Sequence, residues 1–284
     1  MTAPWILVGI FLFVFLFMAG LVWWILRLAR KQPENTPAHF LKHDSEDDRQ
    51  PLFVCLGDSL THGSMSANYV DMLAERFGNL TWVNAGVNAE VAYEALLRLD
   101  EVIKLQPDYV SILIGTNDAN LQLLQDQWQV QFKINQLPGA PEEDSYRQNL
   151  LEIIRRLQAE TSAQITLLSL PTIGEDSDHI SFQQAARYSQ IIKDVAEEMG
   201  IAYLPLNERM TAYLQEHSSA PKYPFEKWDI AMSLLGFKRL VLHRNLDRIA
   251  EEHGFVLHVD HLHLNTSGAK MIADLIEEFI GDAG

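Results

Sequence analysis

A parallel α/β domain with helices on both faces of its sheet, preceded by one membrane-spanning helix, is the architecture this sequence predicts. Three observations carry the prediction. Residues 5–26 form an apolar run without a single charge, short apolar runs alternate with helical patterns from Leu52 onward, and polar turn motifs stand where several of those runs end. Of the chain's 284 residues, a domain of about 230 can bury most of its unfolded surface without disulfides or structural metal. The one cysteine, Cys55, lies inside an apolar run and reads as a packed core residue.

The N-terminal run comes first. At about 1.5 Å per residue a helix over 5–26 reaches about 33 Å, enough for a hydrocarbon core of about 30 Å. Trp5 at one end and Trp23 and Trp24 at the other stand where interfacial aromatics belong. A cleaved signal peptide would carry a basic residue before a shorter run and a small-residue site after it, and this segment has neither. Arg27, Arg30 and Lys31 follow, and the positive-inside rule sets such a flank in the cytoplasm. Three charges are a modest bias, so the domain is expected on the cytoplasmic side, with the extracytoplasmic side as the alternative.

The net charge is −16, and all 38 acidic residues lie beyond position 31. No basic stripe exists to grip phosphates, which excludes a nucleic-acid partner. An acidic surface is also repelled by anionic headgroups, so attachment rests on the apolar segment. Residues 32–51 are polar, hold three prolines and a charge-dense stretch at 44–49, and read as a linker.

In the domain, strands are expected at 52–56, 80–84, 109–114, 165–169 and 202–204. The clearest helix follows Asp144, where Leu150, Leu151, Ile153, Ile154 and Leu157 make one apolar stripe and Arg155 and Arg156 lie opposite. Further helices are expected near 66–77, 90–105, 182–199 and 267–280. This alternation implies a parallel sheet covered on both faces. An insertion at about 218–258 begins at Pro221-Lys222-Tyr223-Pro224 and turns apolar, with Trp228, Met232, Leu235 and Leu242. It reads either as helices completing the core or as a cap over the site.

Ligands of such sheets bind beyond the carboxyl ends of the strands. The first strand runs into Gly57-Asp58-Ser59-Leu60-Thr61-His62-Gly63, the second into Asn84-Ala85-Gly86 and the third into Gly115-Thr116-Asn117-Asp118. Asp260-His261-Leu262-His263 precedes the last helix. A serine hydroxyl needs a base to take its proton, histidine titrates near neutrality, and a carboxylate on the other ring nitrogen fixes the tautomer. Asp260 and His263 are three apart, as on one turn of a helix. An attacked carbonyl also needs donors for its growing negative charge. The N–H groups of Ser59 and Gly86 and the amide of Asn117 are the candidates, with glycine at 86 allowing backbone to approach substrate. Asp58, His62 and Asp118 have plainer readings as turn and loop residues. A zinc site at His258-x-Asp260-His261-x-His263 would need further converging ligands, so no metal is assigned.

These four blocks, in this order, resemble the SGNH (GDSL-type) hydrolases from Leu52 to the C-terminus. GDSLTHG and GTND fit closely. In the second block the family often has Asn-x-Gly-x-x-Gly-x-Thr, whereas Ala89 and Val91 follow Gly86 here. The resemblance implies a flavodoxin-like three-layer α/β/α sandwich with a five-stranded parallel sheet. It implies Ser59 as nucleophile, His263 as base, Asp260 beside it, and Ser59, Gly86 and Asn117 around the oxyanion. The activity implied is that of a serine ester hydrolase, needing no cofactor and acting on a small-molecule or lipid ester. Anchoring near a bilayer points to a lysophospholipase or other acyl esterase, with short-chain esters, thioesters and acetylated sugars left open. An acyltransferase using the same acyl-enzyme and a non-catalytic binding domain are the alternatives, and the oligomeric state is not decided by sequence.

Overall fold

Five strands form one all-parallel sheet in the order β2-β1-β3-β4-β5. They are β1 (Leu52–Gly57), β2 (Thr81–Gly86), β3 (Tyr109–Leu113), β4 (Gln164–Leu168) and β5 (Ala202–Leu204). The computed structural model describes residues 8–13, 15, 16, 19, 20, 27, 31–43, 50–123, 137, 139 and 141–283. Every residue of β1 is buried, as expected of a central parallel strand covered on both sides. Successive side chains alternate between two cores. Val54 and Leu56 join Val110, Ile112, Leu150 and Ile154 on one face. Phe53 and Cys55 join Leu73, Ile272 and Ile276 on the other. Burial pushes the Cys55 thiol up to about 12. Gly57 pairs with Gly86 on one side and Leu113 on the other. The strand order thus reverses beside β1, and its carboxyl end opens at the switch point of the sheet.

The helices are α1 (Pro37–His43), α2 (Ser59–His62), α3 (Tyr69–Arg76), α4 (Ala92–Leu97), α5 (Leu99–Ile103), α6 (Thr116–Leu123), α7 (Glu143–Glu160), α8 (Ile180–Met199), α9 (Leu206–Glu216), α10 (Trp228–Gly236), α11 (Leu246–His253) and α12 (Thr266–Ala283). The apolar stripe after Asp144 is the buried face of α7. The helix expected at 66–77 starts later because Asn68 caps it, its side chain accepting from the N–H of Val70 and Asp71. The helix expected at 90–105 is broken at Arg98, whose side chain turns toward Glu90 and the Ala85 carbonyl.

Part of the segment expected as a linker is docked. Asn84 N–H donates to Asn35 O at 2.9 Å and Asn35 Nδ2 to Trp82 O at 3.2 Å, so the chain pairs along the exposed edge of β2. Phe40 of α1 packs against the core. Residues 44–49 lie outside the described residues. The insertion carries a small core of its own, in which Leu235 meets Leu246, Ile249, Phe255 and Val259, with Met65 packed against it.

The span expected at 5–26 lies largely outside the described residues. Those described within 8–20 are helical, and their large apolar side chains are exposed, Phe11 at 73% and Phe13 at 70%. Among the described residues no helix is long and apolar enough to cross a membrane.

Candidate active site

The nucleophile candidate sits at the first turn beyond β1. Asp58 caps α2 by accepting the Leu60 N–H at 2.9 Å, and Gly63, at φ +77°, closes the turn by donating to Ser59 O at 3.1 Å. A side chain at Gly57 would bring Cβ within 2.2 Å of Thr61 Oγ1, so only glycine lets α2 fold back this tightly. Ser59 is thereby presented at the sheet's carboxyl edge. Its N–H meets no acceptor among the described residues.

The base arrives on a different element. Residues 257–265 form a narrow hairpin, held by Val259 N–H to His263 O at 2.8 Å, Asn265 N–H to Leu257 O at 2.9 Å and a bridge between His258 and Leu264. Asp260 and His263 lie at its tip, not on the helical turn their spacing suggests. Asp260 Oδ1 accepts the N–H of Leu262 (3.1 Å) and of His263 (2.8 Å). Its Oδ2 accepts from His263 Nδ1 at 2.8 Å, which leaves His263 Nε2 facing Ser59 Oγ at 3.1 Å. With Nδ1 donating to a carboxylate, Nε2 keeps its lone pair and the serine hydroxyl donates to it. Burial lowers the His263 pKa, yet the Asp260 charge and hydrogen bond, helped by Asp58, outweigh it and the net shift is upward. Asp260 shifts down in turn: burial raises it, but His263 and the backbone donors win.

Around the position a carbonyl oxygen would take, the structure departs from the sequence reading at one residue. Gly86 donates its N–H to Asn84 Oδ1 at 3.0 Å, while Asn84 Nδ2 donates to Thr61 O at 2.7 Å. A Cβ at Gly86 would lie 2.2 Å from His62 N. Its missing side chain serves the approach of α2 to β2, and its N–H is already spent. Three positions on, the N–H of Ala89 meets no acceptor among the described residues. Asn117 donates one amide hydrogen to Glu90 O at 2.9 Å, next to Ala89, and keeps the other. Glu90 and Arg98, in a half-buried ion pair with Nε–Oε1 at 2.6 Å, tie this loop to the Ala85 carbonyl.

Ala89 holds this place at φ +62°, a backbone region that costs an L-residue about 1–2 kcal/mol. Ala89→Gly is therefore expected to stabilise the fold by about 1 kcal/mol, raising Tm by about 2–4 °C for a domain of this size. Calorimetry showing a lower Tm would refute this account of the loop.

The neighbouring polar residues have structural duties. Asp118 accepts the Ala92 N–H at 3.0 Å and so fastens the start of α4. Burial pushes the carboxyls of Asp58 and Asp118 each up to about 7. His62 is buried with neither ring nitrogen partnered among the described residues, and burial lowers its pKa. His258 and His261 are engaged away from the tip: His258 with Glu175 and Thr172 O, His261 Nε2 with Tyr223 O at 2.8 Å. Among the described residues no group of three His, Cys, Asp or Glu is arranged to hold a metal ion. Sequence reasoning misses Ala89, Ser66, which accepts the Leu264 N–H at 2.8 Å, and Glu175. The one signal in the sequence is that Ala89 stands where the resembled motif carries its second glycine.

The sequence model described as GDSL-like Lipase/Acylhydrolase family matches residues 55–271. The comparison with curated proteins gives no match. Among solved structures, the fold is similar to an acetylxylan esterase of Geobacillus stearothermophilus at 17% identity and TM-score 0.59, covering 82% of this chain and 95% of that one. It is also similar to another acetyl xylan esterase at 19% identity and TM-score 0.58, covering 81% of this chain and 99% of that one. An alpha/beta hydrolase enzyme from the metagenome of Lake Arreo, Spain, gives 21% identity and TM-score 0.58, with 82% and 96% covered.

Proposed function

The chain belongs to the GDSL-like lipase/acylhydrolase family and is a carboxylic ester hydrolase, and from that premise we propose the course of its reaction and its place in the cell. The observation that supports the reaction best is the unbroken hydrogen-bonded line from Ser59 Oγ through His263 to Asp260. Ser59 Oγ attacks the ester carbonyl carbon and His263 Nε2 takes its proton. The oxygen that becomes negative is received by the N–H groups of Ser59 and Ala89 and by the second amide hydrogen of Asn117. The tetrahedral adduct collapses, His263 protonates the departing alcohol, and an acyl group remains on Ser59. Water then attacks, its proton goes to His263, and the acid leaves as Ser59 recovers its hydrogen.

A fluorophosphonate probe tests this directly, since it requires an activated serine. Labelling of the wild-type chain at Ser59, lost in Ser59→Ala, is the expected result. A folded wild-type chain inert to the probe would refute the reading.

The second part of the proposal places the domain at a membrane. Residues 5–26 supply the span, supported by their uncharged composition and by the exposed apolar side chains of the described helical residues. The chain is already paired with β2 at Asn35, so little free chain separates a bilayer from the domain. The basic flank at 27–31 favours the cytoplasmic face. The full chain should stay with the membrane pellet in alkaline carbonate, and removal of residues 1–31 should release an active domain. A full chain recovered in the supernatant would count against the anchor.

A further inference from the structure

We propose that Glu175 and His258 form a buried ion pair that positions the hairpin carrying His263, and so sets its reach to Ser59. The proposal rests on the serine–histidine reaction above. Both side chains are fully shielded from water. Glu175 Oε1 accepts the N–H groups of three consecutive residues: Val256 at 3.1 Å, Leu257 at 2.7 Å and His258 at 2.8 Å. It also takes His258 Nδ1 at 3.0 Å, and Oε2 accepts the Val256 N–H at 2.9 Å. One carboxylate thus gathers the start of the hairpin leg that leads to Asp260.

The protonation of the histidine follows from its partners. His258 Nε2 lies 2.7 Å from Thr172 O, and a carbonyl only accepts, so Nε2 carries hydrogen. Nδ1 faces a carboxylate whose oxygen already receives three backbone donors, so Nδ1 carries hydrogen too. Burial raises the Glu175 carboxyl, but His258 and the backbone donors outweigh it and hold the group at about 2. Burying two charges is costly, and apolar side chains of similar volume would stabilise a fold equally well. The pair is better explained by where it acts.

It acts on the catalytic tip. His258 is the residue bridged to Leu264, and Asp260 follows it by two positions. The loop that supplies Thr172 and Glu175 also holds the tip, because Gly174 N–H donates to His261 O at 2.8 Å. The opposite leg is held from the nucleophile's side, with Leu264 N–H to Ser66 Oγ at 2.8 Å and Ala67 N–H to Leu264 O at 2.9 Å. The separation of Ser59 and His263 is therefore fixed from both flanks, and Glu175–His258 is the anchor on the far one. Geometry matters steeply here, since a misplacement of about 1 Å costs about 10²-fold in rate.

The test compares the full chain with Glu175→Ala and Glu175→Gln, reading kcat and KM for a p-nitrophenyl ester and the low-field proton resonance of His263 Nδ1–H. Glu175→Ala is expected to lower kcat by about 10–100-fold with KM within about threefold, and to broaden or shift the resonance. In Glu175→Gln the side-chain carbonyl can keep the backbone bonds and its amide can serve a neutral His258. That variant should recover kcat to within about tenfold of the wild type. A folded Glu175→Ala with wild-type kcat and an unmoved resonance would overturn the proposal. If Glu175→Ala does not fold, His258→Gln decides, because it leaves the Glu175 backbone bonds in place. A drop of about tenfold in kcat supports positioning there, and an unchanged kcat overturns it. Ser59→Ala is the control: activity retained in that variant would sink the reaction scheme, whereas an indifferent Glu175 in a Ser59-dependent enzyme would sink only this inference.

Discussion

Ser59→Ala is expected to lower kcat for a p-nitrophenyl ester by about 10⁴–10⁶-fold, His263→Ala by a similar factor, and the double variant by no more than either alone. The reason is that the hydroxyl and the imidazole perform one act. Ser59 Oγ is a weak nucleophile until His263 Nε2, at 3.1 Å, removes its proton. Without the hydroxyl the base has nothing to activate but water, and without the base the hydroxyl stays protonated. A millionfold loss corresponds to about 8 kcal/mol of barrier, at about 1.36 kcal/mol per decade. Residual turnover comes from the amide donors and from binding, which neither change touches. The fold should survive Ser59→Ala, because the Asp58 cap and the Gly63 closure of α2 use backbone atoms of the turn and not the hydroxyl. Circular dichroism alongside turnover checks this. Losses that multiply in the double variant would show that the two residues act separately, contrary to the hydrogen bond between them.

Much of this arrangement is legible in the sequence. Strands buried on both faces read as continuous apolar runs, so β1, β3 and β4 stand out, and the ends of β1 and β3 carry the glycines, serine and asparagine that a crevice needs. What is not legible depends on neighbours that spacing cannot name. Gly86 reads as a donor because a bare Cα lets backbone approach a substrate. In the fold the group that approaches it is His62 N, and the same bare Cα serves packing. Asp260 and His263 read as within reach and are, but a spacing of three suits a hairpin tip as well as a helical turn, and the hairpin is what forms. Glu175 meets residues more than eighty positions away, a contact that leaves no local pattern. The docking of Asn35 on β2 uses its backbone carbonyl and its side-chain amide, groups that any polar segment offers, so the composition of the segment hides it.

Asp260→Asn should cost about 10⁴-fold in kcat while leaving substrate affinity nearly unchanged, and it should move the acid limb of the pH profile. Asp260 receives three donors: the N–H groups of Leu262 and His263 through Oδ1, and His263 Nδ1 through Oδ2. An asparagine can keep its carbonyl oxygen on the two backbone groups, which places its amide opposite Nδ1. Nδ1 must then accept, the ring proton moves to Nε2, and the nitrogen facing Ser59 can no longer take a proton. The shift in pH follows from the same contact. The base works only when neutral, so activity falls as pH drops through the His263 pKa. In the wild type that pKa stands above the ordinary 6.5: burial lowers it, but the Asp260 charge and hydrogen bond, with Asp58 behind them, raise it further. The wild-type limb is therefore expected on the high side of the ordinary histidine range. Removing the Asp260 charge leaves burial as the larger influence, and the limb of the residual activity should move to lower pH. A profile of kcat against pH for both proteins decides the matter. An Asp260→Asn enzyme whose limb stays in place, or whose kcat falls by less than about tenfold, would mean that Asp260 neither sets the tautomer of His263 nor holds its charge.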